Sequence, residues 1–363
     1  MHSTVLLVIV VALALGFDFT NGFHDTANVV ASVISTRALS PRNAIAIASV
    51  LNFLGALLSL KVAATIATGI VAAGHVTETV AFAGLVGAIA WNLVTWMYGL
   101  PSSSSHALIG GVIGAMLAAD GSGVRWHGVL TKVAIPAVVA PLAAIVLAAA
   151  VIILCYRIVA NRRPGSVNRV FRFGELISSS ALSLAHGTND AQKTMGVIGV
   201  ALLAHGDLGN HFHVPTWVVL SAATAMGLGT YAGGWRIIRT VGTRIIKMDP
   251  AQGFSAQGAG AAVILVSSHL GYPLSSTQVI SGAVVGAGAG KSVSAVRWAV
   301  AGDISIAWLA TMPVAGLLGA GTYGLADLFG SGVLSTIVIV LGLAGAVWYA
   351  ARLRRVVALK AAG

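Results

Sequence analysis

Long apolar segments alternate along this chain with short polar segments, and many of the apolar segments are long enough to be transmembrane helices. The runs over 134–155 and 333–351 contain no charged residue. A helix of about 20 apolar residues spans the hydrocarbon core of a bilayer, which is roughly 30 Å thick. The pattern therefore predicts helical crossings over 3–36, 44–60, 79–98, 133–156, 175–203, 217–231, 298–318 and 333–351.

The first predicted helix contains a polar segment in its interior, DFTNGFHDTANVVAS, from Asp18 to Ser32. A carboxylate at the centre of a bilayer costs roughly 2.5 to 3.5 kcal/mol even on the lenient insertion scale. Asp18 and Asp25 are therefore candidates for a functional site. Asn and Gly weaken a helix, so the Asn21-Gly22 pair predicts an interruption of this crossing.

The polar segment occurs twice in the chain. From Ser183 the sequence reads SLAHGTNDAQKTMGVIG, and placing Gly187 on Gly22 aligns Asp190 with Asp25. A second pair, PSSSSHALIGGVIGA over 101–115 and PLSSTQVISGAVVGA over 273–287, shares Pro, Ser, Gly, Val and Ala in register. Two motifs repeated in the same order indicate an internal duplication.

The second pair of motifs predicts a re-entrant helical hairpin in each half. Pro101 and Pro273 each introduce a serine-rich break between two modest apolar arms. Non-helical backbone is tolerated at membrane depth only where protein or a water-filled cavity satisfies its polar groups. We therefore expect both tips to lie near the middle of the membrane.

Composition supports the membrane assignment. Charged residues make up 9% of the 363 residues and hydrophobic residues 57%, whereas about 25% of an ordinary soluble domain is charged. The formal net charge is +11, but the basic residues cluster in loops, which is typical of the positive-inside rule and not of nucleic-acid binding. The single cysteine, Cys155, excludes an intrachain disulfide.

The basic loops also predict the order of domains. Five arginines between Arg157 and Arg172 indicate a cytoplasmic linker. We expect a first membrane repeat over 1–156, the linker over 157–173, a second repeat over 174–321, and a final helix and basic tail over 322–363. Counting crossings places the N-terminus outside and the C-terminus inside, and gives the two halves opposite orientations.

These features predict an all-α polytopic membrane protein with two inverted repeats, each containing an interrupted helix and a re-entrant-type helical hairpin. That architecture is typical of secondary transporters, with the substrate at the midplane between the repeats. Broken-helix N-termini and hydroxyl groups suit an oxyanion such as phosphate. Asp25 and Asp190 would require a co-bound cation, either H⁺, Na⁺ or a divalent metal.

The chain resembles the inorganic phosphate transporter (PiT) family. Residues 22–28, GFHDTAN, and 187–193, GTNDAQK, look like its paired G-x-N-D-x-x-N signatures, and the two Pro-Ser motifs resemble its hairpins. The resemblance covers essentially the whole chain. It implies cation-driven phosphate uptake in the bacterial cytoplasmic (inner) membrane, commonly by a homodimer, with no cofactor and no enzymatic activity.

The resemblance also implies two sets of site residues. The predicted phosphate-binding residues are Ser103, Ser104, Ser105, Ser275, Ser276, Thr277, Gly22, Gly187, Lys193 and Thr194. The predicted cation-coupling residues are Asp25, Asn28, His24, Asn189, Asp190 and Gln192. Among these, Asp25 and Asp190 are the predicted metal ligands, for Na⁺ or a divalent ion.

Two departures from the signature favour H⁺ over Na⁺. His24 replaces the Asn before the first Asp, and Lys193 replaces the second Asn. A lysine supplies a positive charge where Na⁺ would otherwise bind, and histidine titrates near neutral pH. A neutral metal–phosphate complex is a further candidate for the transported species.

Several alternatives stay open at this stage. The same scaffold would suit sulfate or another oxyanion. An intramembrane hydrolase would use Ser103 to Ser105 with His106, although the twin hairpin carries Gln278 in place of that histidine. In a purely structural interpretation, Asp25 and Asp190 would form an ion-pair set with Lys193 and His186. In the corresponding interpretation of the hairpins, the serines would only donate to backbone carbonyls of their own helices. Asp18 and Glu175 would be either coupling carboxylates or partners for loop arginines.

Overall fold

The protein is almost entirely helical in the part of the chain that the structure describes. The computed structural model describes residues 4–209, 211–234, 237–238, 240–330, 332–333, 335–342 and 345. Within these residues the only extended pairing is an isolated antiparallel bridge between Val71 and Val124. The α-helices are α1 (Thr4–Ser35), α2 (Pro41–Ala56), α3 (Lys61–Thr65), α4 (Glu78–Tyr98), α5 (Ser104–Ala119), α6 (Trp126–Val129), α7 (Ile135–Val159), α8 (Pro164–His205), α9 (Thr216–Ala232), α10 (Pro250–His269), α11 (Ser276–Lys291) and α12 (Trp298–Leu328).

Four helical segments of the described chain are long and apolar enough to cross a membrane: Thr4–Ser35, Glu78–Tyr98, Trp126–Val159 and Trp298–Leu328. A bent pair, α2 with Lys61–Ile70 at 62°, would supply a fifth. These segments agree with predicted crossings. The predicted final crossing over 333–351 and the basic tail lie largely outside the described residues.

The predicted interruption of the first crossing is wrong. Helix α1 continues without a break through Asn21 and Gly22, and α8 likewise continues through Gly187. A Cβ on Gly22 would lie 2.5 Å from the Met226 carbonyl oxygen of α9, and one on Gly187 would approach the Asn52 carbonyl of α2 even more closely. Both glycines therefore permit close helix packing, and their cost to the helix is offset by that packing.

Both hairpins are present, and the breaks in helical structure lie at their tips. Helix α4 ends at Gly99, which has a left-handed backbone (φ 66°), and α10 is followed by Gly271 (φ 79°). After each proline, a serine caps the returning helix by accepting a backbone N–H bond. Ser103 accepts from His106 at 3.1 Å, and Ser275 accepts from Gln278 at 3.3 Å.

The returning helix of each hairpin packs against a long helix of the other half. Helix α5 crosses α12, where a Cβ on Gly114 would approach the Gly316 carbonyl oxygen to 2.0 Å. Helix α11 crosses α7, where a Cβ on Gly286 would approach the Ile145 carbonyl oxygen to 2.2 Å. Gly114 and Gly286 are equivalent positions of the duplicated motif, so each half packs against the other through the same position of the motif.

The equivalent helices α1 and α8 run antiparallel, as inverted repeats require. Three contacts between α1 and α8 run in opposite directions along the two helices, namely Asp18 with Thr194, Val29 with Ser179 and Thr36 with Glu175. The twin residues His106 and Gln278 contact each other at 3.3 Å between the hairpins. Two equivalent residues that contact each other lie close to the axis that relates the two repeats.

The segment predicted as a basic linker, 157–173, lies mostly in helices α7 and α8. Helix α7 extends to Val159, and α8 begins at Pro164, which suits the first turn of a helix because its missing N–H needs no partner there. Most of the segment over 157–173 is therefore helical, and the second repeat begins within a continuous helix.

We expect Gly114→Val to destabilise the protein, because the added side chain would separate α5 from α12. Overpacking of this kind costs about 1–3 kcal/mol, which thermal unfolding in detergent would detect as a lower Tm. Gly302→Ala on α12 is the matched control, since a Cβ there meets nothing within 4 Å. An unchanged Tm for Gly114→Val would contradict the packing described above.

Candidate functional site

Two carboxylates from the duplicated signatures meet in the interior of the protein. Asp25 of α1 and Asp190 of α8 are both buried, with 1% and 0% of their surface exposed. The imidazole of His186 lies between them, with Nε2 2.9 Å from Asp190 Oδ2 and 3.9 Å from Asp25 Oδ2. The antiparallel arrangement of α1 and α8 is what brings these equivalent residues together.

Hydroxyl groups at the start of each hairpin's returning helix donate to these carboxylates. Ser104 donates to Asp25 Oδ2 at 2.8 Å, and Ser276 donates to Asp190 Oδ2 at 2.6 Å. Thr277 also donates to Asp25, at 3.2 Å. Each hairpin therefore directs a helix N-terminus and its first hydroxyls at a buried acidic centre.

The six predicted hairpin hydroxyls have two different roles. Ser104, Ser105, Ser276 and Thr277 have their hydroxyl groups within hydrogen-bonding distance of the carboxylates. The hydroxyls of Ser103 and Ser275 instead accept N–H bonds as helix caps. Capping residues of this type fix the direction of the helix N-terminus, so these two serines position the other four.

Lys193 forms a buried ion pair with Asp190. Its ammonium group also donates to the backbone carbonyl of Leu274, at 2.8 Å, and to the hydroxyl of Ser105. Lys193 thereby connects α8 to the tips of both hairpins. The ion pair between Asp190 and Lys193 that the sequence suggested is therefore present, and it is compatible with a role of both residues in transport.

The remaining residues of the predicted cation set mostly surround the same centre. His24 Nδ1 lies 2.7 Å from Asp25 Oδ1, and its Nε2 lies 3.2 Å from the Thr95 hydroxyl. Asn28 donates to Thr277 at 3.0 Å, and Asn189 donates to Asp190 at 3.1 Å. Side chains from α1, α8 and both hairpins therefore form one connected polar network.

Four predicted site residues lie outside this network, namely Gly22 and Gly187, which serve helix packing, and Gln192 and Thr194. The Gln192 side chain accepts backbone N–H bonds from Val62, at 2.8 Å, and Ala63, and so satisfies the exposed N-terminus of α3. Thr194 donates to Asp18 at 2.7 Å and makes no recorded bond to the hairpins. Gln192 and Thr194 flank Lys193 in the sequence. Successive residues of a helix face different directions, so Lys193 faces the centre and its two neighbours do not.

From the sequence, His186 is expected only as a partner in a structural ion-pair set, and not among the predicted metal ligands. Asp25, His186 and Asp190 each offer a ligand atom, and these atoms lie within 4.8 Å of one another. His186 precedes Asp190 by four residues, a spacing that places both side chains on one face of a helix, which is the signal that would have found it. Carboxylate and imidazole together suit a divalent ion better than Na⁺.

His106 lies against Gln278 and is not positioned as a base for a nucleophilic serine. Its Nδ1 contacts the Gln278 side chain at 3.3 Å, and its own backbone N–H is bonded to Ser103. A nucleophile–base pair requires a hydrogen bond from the hydroxyl to the imidazole. Ser104 and Ser105 donate elsewhere, to Asn21, the carboxylates and the Leu274 carbonyl.

The antiparallel helices α1 and α8, the paired hairpins and the buried acidic centre are compatible with a membrane transporter built from inverted repeats. The chain belongs to the phosphate transporter family, whose model matches residues 21–165 and 160–319. It is therefore a phosphate transporter and not an enzyme, which removes the hydrolase alternative.

Bacterial relatives named "Probable low-affinity inorganic phosphate transporter" cover most of the chain. The protein of Mycobacterium tuberculosis (strain ATCC 25618 / H37Rv) is 53% identical over 96% of this chain and 84% of its own length. Those of Rhizobium meliloti (strain 1021) and Bacillus subtilis (strain 168) are 49% and 43% identical, over 89% and 88% of this chain and 97% and 96% of their own lengths.

A solved structure titled "The sodium-dependent phosphate transporter" has the same fold. It superimposes with a TM-score of 0.80 over 89% of this chain and 99% of its own. The sequence identity is 24%, so the similarity shows that the fold is shared but does not identify the coupling ion of this chain.

We expect Lys193→Met to destabilise the protein strongly, because it leaves Asp190 buried without its cation. Breaking a buried pair from one side typically costs about 3–5 kcal/mol, whereas replacing both partners is often tolerated. The double variant Asp190→Asn with Lys193→Met should therefore recover much of the lost Tm in detergent. A double variant less stable than Lys193→Met alone would show that the pair is not the source of the effect.

Proposed function

We propose that this protein takes up inorganic phosphate across the bacterial cytoplasmic membrane by cation symport, with H⁺ favoured over Na⁺. The observation that carries the proposal is the convergence of both hairpin N-termini on Asp25 and Asp190. The bacterial relatives, named as low-affinity inorganic phosphate transporters, support phosphate as the substrate.

The hairpin hydroxyls are suitable donors for phosphate. They are buried, they lie at helix N-termini, and they already donate to the oxygens of carboxylate groups. Phosphate oxygens accept the same hydrogen bonds, and a helix N-terminus favours an anion. We place phosphate at Ser104, Ser105, Ser276 and Thr277, with Lys193 as the positive partner.

Competition for these donors provides a mechanism of coupling. While Asp25 and Asp190 are ionised, they occupy the hydroxyl donors and repel an arriving anion. A cation at the carboxylates neutralises them and releases the hydroxyls to phosphate. Cation binding and phosphate binding then favour each other reciprocally, as a symporter requires.

The charges near the centre support H⁺ as the coupling ion. Lys193 supplies a fixed positive charge beside Asp190, in the place where the first signature has Asn28. His24 Nδ1 lies 2.7 Å from Asp25 Oδ1. In this proposal a proton carried on His24 takes the place of Na⁺ beside Asp25.

The inverted repeats support transport by alternating access. Two equivalent halves that meet at His106 and Gln278 have two related arrangements, in which each half takes the conformation of the other. The resemblance to the family also implies a homodimer, which we retain as part of the proposal.

A metal–phosphate complex is a second candidate for the transported species. The cluster of Asp25, His186 and Asp190 favours it, because a divalent ion held there would be adjacent to the hydroxyls of Ser104 and Ser276. The ion would be cargo that leaves with phosphate, and it would neutralise both carboxylates at once.

The test is uptake of ³²P-labelled phosphate into proteoliposomes under an imposed pH gradient or an imposed Na⁺ gradient. We expect the pH gradient to drive accumulation, replacement of Na⁺ by choline to have no effect, and Asp190→Asn to abolish accumulation. Chelation of divalent ions and their readdition in the same vesicles tests the metal–phosphate complex.

Accumulation driven only by Na⁺ would overturn the proposed role of His24 and Lys193. Uptake of labelled sulfate in place of phosphate, under either gradient, would move the assignment to another oxyanion. Size-exclusion chromatography of the Asp190→Asn variant, compared with the unmodified protein, separates loss of coupling from loss of folding.

We expect Ser104→Ala and Ser276→Ala to weaken phosphate binding to a similar extent, since they are equivalent donors. A hydrogen bond to a charged acceptor contributes about 1.5–3 kcal/mol, which corresponds to a rise in KM of about 10- to 100-fold.

Ser281→Ala is the matched control for these two variants. Ser281 is buried on α11, like Ser276, but its hydroxyl has no partner among the described residues. An equal rise in KM for Ser281→Ala would show that the effect comes from helix packing and not from the loss of a phosphate donor.

A further inference from the structure

A third buried carboxylate, Asp18, lies on α1 outside the central network. It is seven residues before Asp25, two helical turns or about 10 Å along the helix axis. Its side chain has no exposed surface. One oxygen, Oδ1, accepts the Thr194 hydroxyl bond at 2.7 Å, and the other, Oδ2, has no hydrogen-bond partner among the described residues.

Asp18 has no cation in contact with it in the described part of the chain. The charged or titratable groups that act on it are Asp190, Lys193 and His186 of α8. Lys193 is paired with Asp190, and His186 Nε2 lies 2.9 Å from Asp190 Oδ2. The possible arginine partners proposed from sequence are absent from its contacts.

The other helices packed against α1 offer Asp18 little further charge. Helix α9 contains no charged residue, α2 carries only Arg42, in its first turn, and α4 carries only Glu78, also in its first turn. Three further elements packed against α1 carry a basic residue only at the C-terminal end: Arg244 in Thr240–Arg244, His269 in α10 and Lys291 in α11. Glu78 is bonded to His205 at 2.7 Å. His106 of α5 contacts Gln278.

An ionised carboxylate without a cation is strongly disfavoured in such a place, whereas a carboxylic acid is tolerated. One oxygen can accept from Thr194 while the other carries the proton. A neutral O–H group without an acceptor costs much less in this place than a buried, unpaired negative charge.

We propose that Asp18 is a second proton-binding residue of the transport cycle, distinct from the Asp25–Asp190 centre. It takes a proton from water on one side of the membrane, forming an O–H bond, and returns it to water on the other side. This inference rests on the proposed H⁺-coupled uptake of phosphate.

The neighbouring residues on α8 provide the connection to the substrate. Thr194, which bonds Asp18, directly follows Lys193, which bonds Asp190 and both hairpin tips. A movement of α8 that transfers Lys193 from Asp190 to phosphate also displaces Thr194 from Asp18. The protonation of Asp18 is thereby linked to phosphate binding.

A purely structural role makes a different prediction from a proton-binding role. If Asp18 only ties α1 to α8, an asparagine should replace it fully, because its carbonyl oxygen accepts the same Thr194 bond. If Asp18 must gain and lose a proton, an asparagine keeps the bond but fixes the neutral state.

The experiment compares Asp18→Asn with the unmodified protein in proteoliposomes. We expect phosphate exchange at equal pH on both sides, which needs no net proton movement, to stay within about twofold of the unmodified rate. Accumulation under a pH difference of one unit should fall about tenfold, since one proton fewer is coupled to each phosphate. Asp18→Glu should restore accumulation.

Asp207→Asn, in the exposed loop after α8, is the control for removal of a carboxylate and should change neither measurement. Unchanged accumulation in Asp18→Asn, or loss of exchange together with accumulation, overturns the role of Asp18. If the unmodified protein itself shows no accumulation under a pH gradient, the proposed H⁺ symport fails instead, and the two failures are distinguishable.

Discussion

The structure depends on two carboxylates that are buried in the membrane interior and held there by hydrogen bonds from both halves of the chain. Asp25 and Asp190 would be strongly destabilising if they were unpartnered. Ser104, Ser276, Lys193 and His24 bond to them, and His186 Nε2 lies 2.9 Å from Asp190. The hairpins, the antiparallel signature helices and the exchanged packing of the halves all bring donors to this one acidic centre.

This constraint has a consequence for transport. The groups that stabilise the carboxylates are the same groups that would bind phosphate, so the protein does not need a separate anion site. In the mechanism we propose, a cation at the centre changes which acceptor the hydroxyls bind. Coupling of the two substrates then follows from shared hydrogen bonds and charge, without a long path between distant sites.

The two repeats are equivalent in topology but not in packing. Between α4 and α12, the indole N–H groups of Trp91 and Trp308 donate to Thr311 and to the Pro101 carbonyl. Between α10 and α7 lies an open apolar groove of about 460 Å³, lined in part by Val263 and Pro136. The side chains packed around the two hairpins therefore differ.

The sequence by itself determined the membrane class, the duplication, the hairpins and most of the residues that meet at the centre, because apolar length and repeated motifs are local properties. It did not determine that Gly22 and Gly187 serve helix packing, that Gln192 caps α3, or that Thr194 bonds Asp18. Those outcomes depend on which helix faces which. Only the tertiary contacts of α1 with α8 and α9, and of α8 with α2 and α3, decided them, since they bring together residues more than a hundred positions apart. His186 and Asp18 acquired their surroundings in the same way.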